Sequence, residues 1–596
     1  MFRFLTISLL FAAFLTPVAC AGDFPPVTLR DATSEELVGH DKVRSADLGP
    51  TVDSANRLVP HRWRTEDDVV EGWDWSLPPD VKAVERSGMI VHRNERRTFP
   101  APKLINFSFS WKDVEPEEGR YDFSRVLAQL KNPPEGVDGY RVHFFTAVAD
   151  DHDLRSGRHR RAAPEWLDRY DIPKVVMPQM EGRFQLTQYA IWHGEYHKRY
   201  LRVLKALGES GIPQIDTARI IYIGGISKSR GEEMHIPRET FQWCREHAGL
   251  TPELLERSLT GRLDAWARAF RGVEHKLAWV GAGGDIGGDP DFHGLGVRVL
   301  RHAYSIGMGQ RCGFVENYLY QLQNPDLGQS VDPRGYLIVD ESCPAIAKSL
   351  AFGDENEEYG PYWTGRFGPL QTHAYRHHES MLRTLQMRRN YLWISDDTID
   401  MDPALTTYVA LSLGRTIADT PDAWCYLRES RVRGGAAGRP REKLVSINNF
   451  ERWLVQRDIP GYRTVPVIRA SQHKLWMVPD GERFDHIARR TDLASGNGRI
   501  GFALDDRFFG DAAGATVKIT YHDIGTGRWS LCYRDGQGNP RRKTIDCNGT
   551  EKVFTATFHL TDISFPAKGE AFDFYIEAEK EDATISFVRV MKKTDH

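Results

Sequence analysis

Two groups of glutamates stand directly behind short apolar runs, and this placement makes them candidates for chemistry. Glu232 and Glu233 lie in the segment Ser227 to His235, behind the run Ile220 to Gly225. Asp354, Glu355, Glu357 and Glu358 follow Leu350 to Gly353, and Glu316 sits within the apolar run Cys312 to Tyr318. Two carboxyl groups can split an acetal between them. One stays protonated to donate to the leaving oxygen, while the other is ionised to attack the carbon or activate water. Mutual repulsion and partial burial set the two pKa values apart. Acidic clusters ordinarily sit on solvated loops, so their position at the ends of apolar runs is what singles these out.

Repeated strand and helix units would deliver acids to such positions. Apolar runs at Leu104 to Phe109, Tyr140 to Ala147, Arg219 to Gly224, Lys276 to Val280, Cys312 to Tyr318, Leu350 to Gly353 and Tyr391 to Ile394 alternate with helical patterns such as Trp192 to Leu207, Pro252 to Phe270 and Thr372 to Arg388. This is the pattern of βα units. It predicts an α/β fold, a (β/α)₈ TIM barrel over 96–432, whose active site lies at the carboxyl ends of the strands. The rival is an open doubly wound sheet, but no G-x-G-x-x-G or phosphate-cradling glycine loop follows any strand. The tract Arg433 to Arg441, RGGAAGRPR, reads as a linker. Beyond it, period-two runs such as Val517, Ile519, Tyr521 and Trp529, Leu531, Tyr533 predict an antiparallel β-sandwich, jelly-roll-like and suited to carbohydrate binding, over 442–596. The linker implies that the sandwich can be cut away. Residues 22–95 read as a leader packed on the barrel.

The segment Trp111, Val114, Glu115, Pro116, Glu117, Gly119, Tyr121, Phe123 resembles the W-x-x-x-E-P-x-x-G-x-Y-x-F passage behind an early strand of clan A-like (β/α)₈ glycoside hydrolases. The likeness is nearest to bacterial β-galactosidases and galactan hydrolases of the agarase and carrageenase kind. It implies a retaining two-carboxylate glycosidase with its acid/base in a Gly-Glu loop after the fourth strand, which places that role on Glu232 with Glu233 in reserve. The nucleophile is implied at the tip of the seventh strand, on Glu355, with Glu357 and Glu316 in reserve. The same resemblance puts Trp111 and Trp166 near the cleft. Tyr362 and Trp363 could stack on sugar rings. Lys228, Arg230 and His235 could receive sulfate or carboxylate groups, or else pair with the neighbouring acids. The implied substrate is a β-linked galactan, possibly sulfated. A non-catalytic glycan-binding protein and a polysaccharide lyase are the competing classes.

Composition narrows the field further. With 78 basic and 82 acidic residues and a net charge of -4 over 596 residues, the chain lacks the basic excess of a nucleic-acid binder. Residues 1–21 read as an export signal, with Arg3, the apolar run Leu5 to Leu15 and Ala19-Cys20-Ala21. This predicts a periplasmic or secreted protein, and acylation at Cys20 is the alternative. No later run approaches the ~18 apolar residues of a membrane span. Of the cysteines beyond residue 21, Cys532 and Cys547 are the predicted disulfide pair, and none has zinc-site spacing. Asp285, Asp289 and Asp291 do not match a calcium loop. His373, His377 and His378 lack the H-E-x-x-H context of zinc and read as a helix face. No metal or cofactor is expected.

Overall fold

The computed structural model describes residues 48–177, 184–227, 234, 236–281, 290–314, 325–356, 373–400, 402–433, 444–468, 485–510, 512, 514–561, 563, 565 and 571–593. Eight parallel strands close into a barrel in chain order. They are β1 Gly88–Val91, β2 Lys103–Ser110, β3 Gly139–Phe145, β4 Ala218–Ile223, β5 Leu277–Trp279, β6 Gly309–Phe314, β7 Phe352–Asn356 and β8 Tyr391–Ile394. The ring closes where Tyr391, Leu392 and Trp393 pair with Gly88, Met89 and Ile90. Side chains alternate across the wall. Ile90, Leu104, Ile220, Tyr222, Ala278, Tyr391 and Trp393 form one inner cluster. Met89, Ile105, Val142, Phe144, Ile221 and Leu392 belong to the larger core shared with the helices Gly194–Glu209 and Pro252–Ala269. Strands β6 and β7 approach so closely that a Cβ on Gly309 would lie 1.9 Å from the Ala351 carbonyl oxygen, a contact only glycine tolerates.

The predicted barrel and the β-rich region behind it are both present, with corrections to their limits. Strand β1 lies inside the stretch expected to be a leader, so the barrel begins before residue 96. A second leader strand, Asp68–Glu71, pairs antiparallel with Val553–Leu560. The leader therefore extends the C-terminal sheet as well as the barrel. Strand Asp422–Arg433, expected at the end of the barrel, pairs with Leu444–Arg452, Asp485–Arg490 and Thr584–Lys592. Because Arg433 is opposite Leu444, the glycine-rich tract joins neighbouring strands of one sheet and is not an interdomain linker.

The C-terminal region has an eight-stranded sheet containing these strands and a five-stranded sheet of Leu454–Gln456, Arg499–Leu504, Phe574–Glu579, Arg528–Arg534 and Pro540–Asp546. Both contribute to one core, including Phe502, Leu531, Ile576, Val517, Ile519 and Val588. Its junction with the barrel is buried and polar as well as aromatic. Trp73 stacks on Trp75 at 5.3 Å, and both rings lie against His378 and Phe587. The Arg589 guanidinium bonds Asp422 at 2.8 Å and the carbonyls of Asp74 and Ser76 at 2.9 and 3.1 Å, while Lys518 pairs with Asp74. His377 and His378 lie on the helix His373–Gln386 as expected, but both are buried, and His378 packs at this junction.

The expected Cys532–Cys547 bridge does not form; both thiols are free. Cys532 is opposite Arg542, five residues before Cys547 along the neighbouring strand. At about 3.3 Å per residue that offset is roughly 16 Å, beyond the ~7 Å limit for a disulfide.

Candidate active site

The W-x-x-x-E-P passage is a sealed corner directly after the carboxyl end of β2. Ser110 and Asp113 cap the turn Trp111–Val114 reciprocally. The Glu115 carboxylate accepts from Trp111 Nε1 at 2.6 Å and from the Gly119 amide at 2.8 Å, and Trp166 Nε1 donates to the Glu115 carbonyl at 3.0 Å. Burial pushes the Glu115 carboxyl above its ordinary range, against those hydrogen bonds. Trp111 and Trp166 are 0% and 4% exposed and pack edge to face. This corrects the expectation that they flank the cleft, because neither offers a face to a sugar. The two donors reach different carboxylate oxygens, and glutamine puts a donating NH2 in place of one of them. Glu115→Gln should therefore cost about 1–3 kcal/mol of stability, measured by urea unfolding, with KM little changed. An unaltered midpoint would contradict this reading of the corner.

Glu232 is reached from β4, which stands fourth in the barrel. Lys228, Arg230, Glu232, Glu233 and His235 themselves lie outside the described residues. The ends of their loop are fixed. Buried Ser227 is held by Gln188, whose amide donates to the Ser227 carbonyl and accepts from its N–H at 3.3 Å. At the far end, the Met234 amide donates to the Val280 carbonyl at 3.0 Å, just past β5. A Cβ on Gly225 would meet Met234 Sδ at 2.5 Å. The loop thus leaves and returns at the carboxyl ends of β4 and β5. Gln188 belongs to the strand Phe184–Tyr189 of a four-stranded sheet inserted between β3 and β4. If this clamp positions a reacting group, Gln188→Ala should lower kcat by up to ~10²-fold, as small misplacements do, with a smaller effect on KM. Wild-type kcat in a folded variant would remove that role.

Glu355 stands on β7, seventh in the barrel, with Phe314 of β6 and Trp393 of β8 as its register partners. Gly353, two residues earlier, faces the lumen, since a Cβ there would sit 3.7 Å from the Tyr222 hydroxyl. Strand alternation places the Glu355 backbone position on the same face. Glu316, Glu357, Tyr362 and Trp363 lie outside the described residues, as do Asp285 and Asp289, whereas Asp291 pairs with Arg245 at 2.8 Å.

The lumen also holds groups the sequence reading did not single out. Arg141 and His143 of β3 lie there, with the Arg141 guanidinium 4.7 Å from the Tyr222 ring centre. The His143 imidazole is pushed down to about 3 by burial and by the charges of Arg141 and Arg311, so it is neutral at pH 7. His143 Nε2, the Tyr222 hydroxyl and Trp393 Nε1 are buried without hydrogen-bond partners among the described residues. Buried polar groups are normally satisfied. These three lie near the carboxyl ends of β3, β4 and β8. Their signal was available in Arg141-Val142-His143-Phe144, where polar and apolar residues alternate in a barrel strand. Among the described residues no cluster of side chains could hold a metal ion, and no helix is long and apolar enough to cross a membrane.

No protein-family model and no curated protein sequence matches the chain. Among solved structures, it is similar to endo-glycoceramidase II from Rhodococcus sp., seen as its lactosyl-enzyme intermediate, at 12% identity and a TM-score of 0.26, covering 82% of this chain and 89% of that one. It is also similar to the CBM22-1-GH10 modules of the Clostridium thermocellum endo-1,4-beta-D-xylanase 10B at 13% identity and a TM-score of 0.15, covering 24% and 27%. Likenesses this loose carry no argument about activity. The barrel stands on its own strand pairings.

Proposed function

We propose that the barrel is a retaining glycoside hydrolase with Glu355 as nucleophile and Glu232 as acid/base. The observation that carries this reading is positional. The backbone of Glu355 stands in the seventh strand two residues past Gly353, which faces the lumen, and the ends of the Glu232 loop are held at the carboxyl ends of the fourth and fifth strands. Carboxyls from opposite sides of a barrel mouth can flank one glycosidic bond. Neutral His143 Nε2, the Tyr222 hydroxyl and Trp393 Nε1, all without hydrogen-bond partners among the described residues, suit the hydroxyl groups of a sugar held between them.

The substrate class in this proposal is a β-linked galactan, possibly sulfated, met outside the cytoplasm after removal of residues 1–21. Its residue-level support is the sequence around Lys228 and Arg230, where a guanidinium can form charge-assisted bonds to sulfate. Arg230→Ala should raise KM for a sulfated galactan by about tenfold, the loss of one charge-assisted contact, and leave KM for the desulfated polymer unchanged. Added salt should weaken only the sulfated case. Equal losses on both polymers would assign Arg230 to support of the loop and remove the sulfate from the proposal. Turnover itself is read from reducing ends released across neutral and sulfated polysaccharides. A protein that holds glycan without releasing them would be a binder.

A further inference from the structure

The five-stranded sheet carries a cavity of about 580 Å³, within the range of small-ligand sites. It lies on the face opposite the sandwich core. Ile500, Phe502, Leu531, Phe574 and Ile576 point into that core, whereas their strand neighbours Arg499, Cys532 and Tyr575 line the cavity. Three aromatic rings shape one side. Tyr462 lies 4.9 Å from Phe572 and 6.0 Å from Tyr575, centre to centre. The Phe572 ring covers Gly501 so tightly that a Cβ there would come within 2.1 Å of it, so glycine lets this ring lie against the sheet.

The polar side is lined by Arg499, Arg534, Arg541 and Arg542, and three of these pair with carboxylates beside the cavity. Arg499 bonds Glu577 at 2.7 Å and lies 4.6 Å from the Tyr575 ring centre. Arg542 pairs with Glu577 and Glu579, and Arg541 with Asp535 at 2.8 Å. A free anion would have to compete with these carboxylates for Arg499, Arg541 and Arg542. A neutral polyhydroxylated ring would not. It can stack on the tyrosine faces while its hydroxyl oxygens accept from the guanidiniums that line the cavity.

We propose that this cavity is a binding site for neutral glycan, separate from the barrel and independent of its chemistry. The test is native electrophoresis of the full chain through gels containing single soluble polysaccharides, neutral or sulfated. At least one neutral polymer should retard the protein, and Glu355→Gln should be retarded equally. Tyr575→Ala and Tyr462→Ala should each weaken retardation by about tenfold in apparent Kd, the effect of losing one stacking ring, with Tm recorded for each. Tyr575→Phe keeps the ring and should bind as wild type. The proposal is overturned if no neutral polymer retards the chain, if folded Tyr575→Ala and Tyr462→Ala both run as wild type, or if only sulfated polymers act and salt abolishes the effect. Because retardation is read without turnover, an inactive barrel leaves this site standing, and loss of the site leaves the barrel chemistry standing.

Discussion

Glu355→Gln and Glu232→Gln should each reduce turnover of a natural glycan by about 10²–10⁴-fold or more while leaving the thermal midpoint near wild type, because each removes one half of an acid and nucleophile pair. The two losses should differ in kind. An aryl glycoside with an acidic phenol leaves without needing a proton, so Glu232→Gln should retain much of the first step on it. Glu355→Gln should lose that step on every substrate. If Glu355→Gln stays active while Glu357→Gln or Glu316→Gln is dead, the nucleophile has been placed on the wrong glutamate and the barrel chemistry survives. If all these variants turn over normally, the two-carboxylate reading fails.

Cutting the chain after Arg433 should abolish soluble folded protein, contrary to what the glycine-rich tract suggests. Strand Asp422–Arg433 would lose the partners Leu444–Arg452, Asp485–Arg490 and Thr584–Lys592, and Asp68–Glu71 would lose Val553–Leu560. Asp422 would lose Arg589, and Asp74 would lose Lys518, leaving charges that are buried in the intact protein without their ion-pair partners. Trp73, Trp75, Trp424 and Tyr426, all buried now, would face water at about 1.5–3 kcal/mol for each large apolar side chain. Circular dichroism and sedimentation of the truncated chain decide the point. A monodisperse, cooperatively folding barrel would show that the junction is dispensable.

The barrel was legible because its strands are buried on both faces and so read as apolar runs. Two kinds of information were hidden. Strand β1 is only Gly-Met-Ile-Val in a polar stretch, too short for its pattern to stand out. The pairing of Asp68–Glu71 with Val553–Leu560 joins segments almost 500 residues apart, and local periodicity carries no trace of such a contact. The glycine and proline content of Arg433 to Arg441 signalled a chain break correctly, but a break between paired strands and one between domains have the same composition. At the candidate site the acids stood out by type, whereas His143, Tyr222 and Trp393 did not. Their interest comes from being polar and unpartnered within the lumen, which depends on strand register. Trp111 misled in the opposite sense, since an indole that closes a turn and one that receives a sugar are the same letter. Only its 0% exposure separates them.

The most direct test of the central claim is product analysis on neutral and sulfated galactans, following reducing ends, product mass and ultraviolet absorbance together for the full chain and for Glu355→Gln. A glycosidase of the proposed kind should release reducing ends with each cleavage adding one water, with no new ultraviolet absorbance and with release lost in Glu355→Gln. Products that absorb in the ultraviolet and lack the added water would mean elimination, and no release from any polymer by the folded wild-type chain would contradict hydrolysis by this barrel.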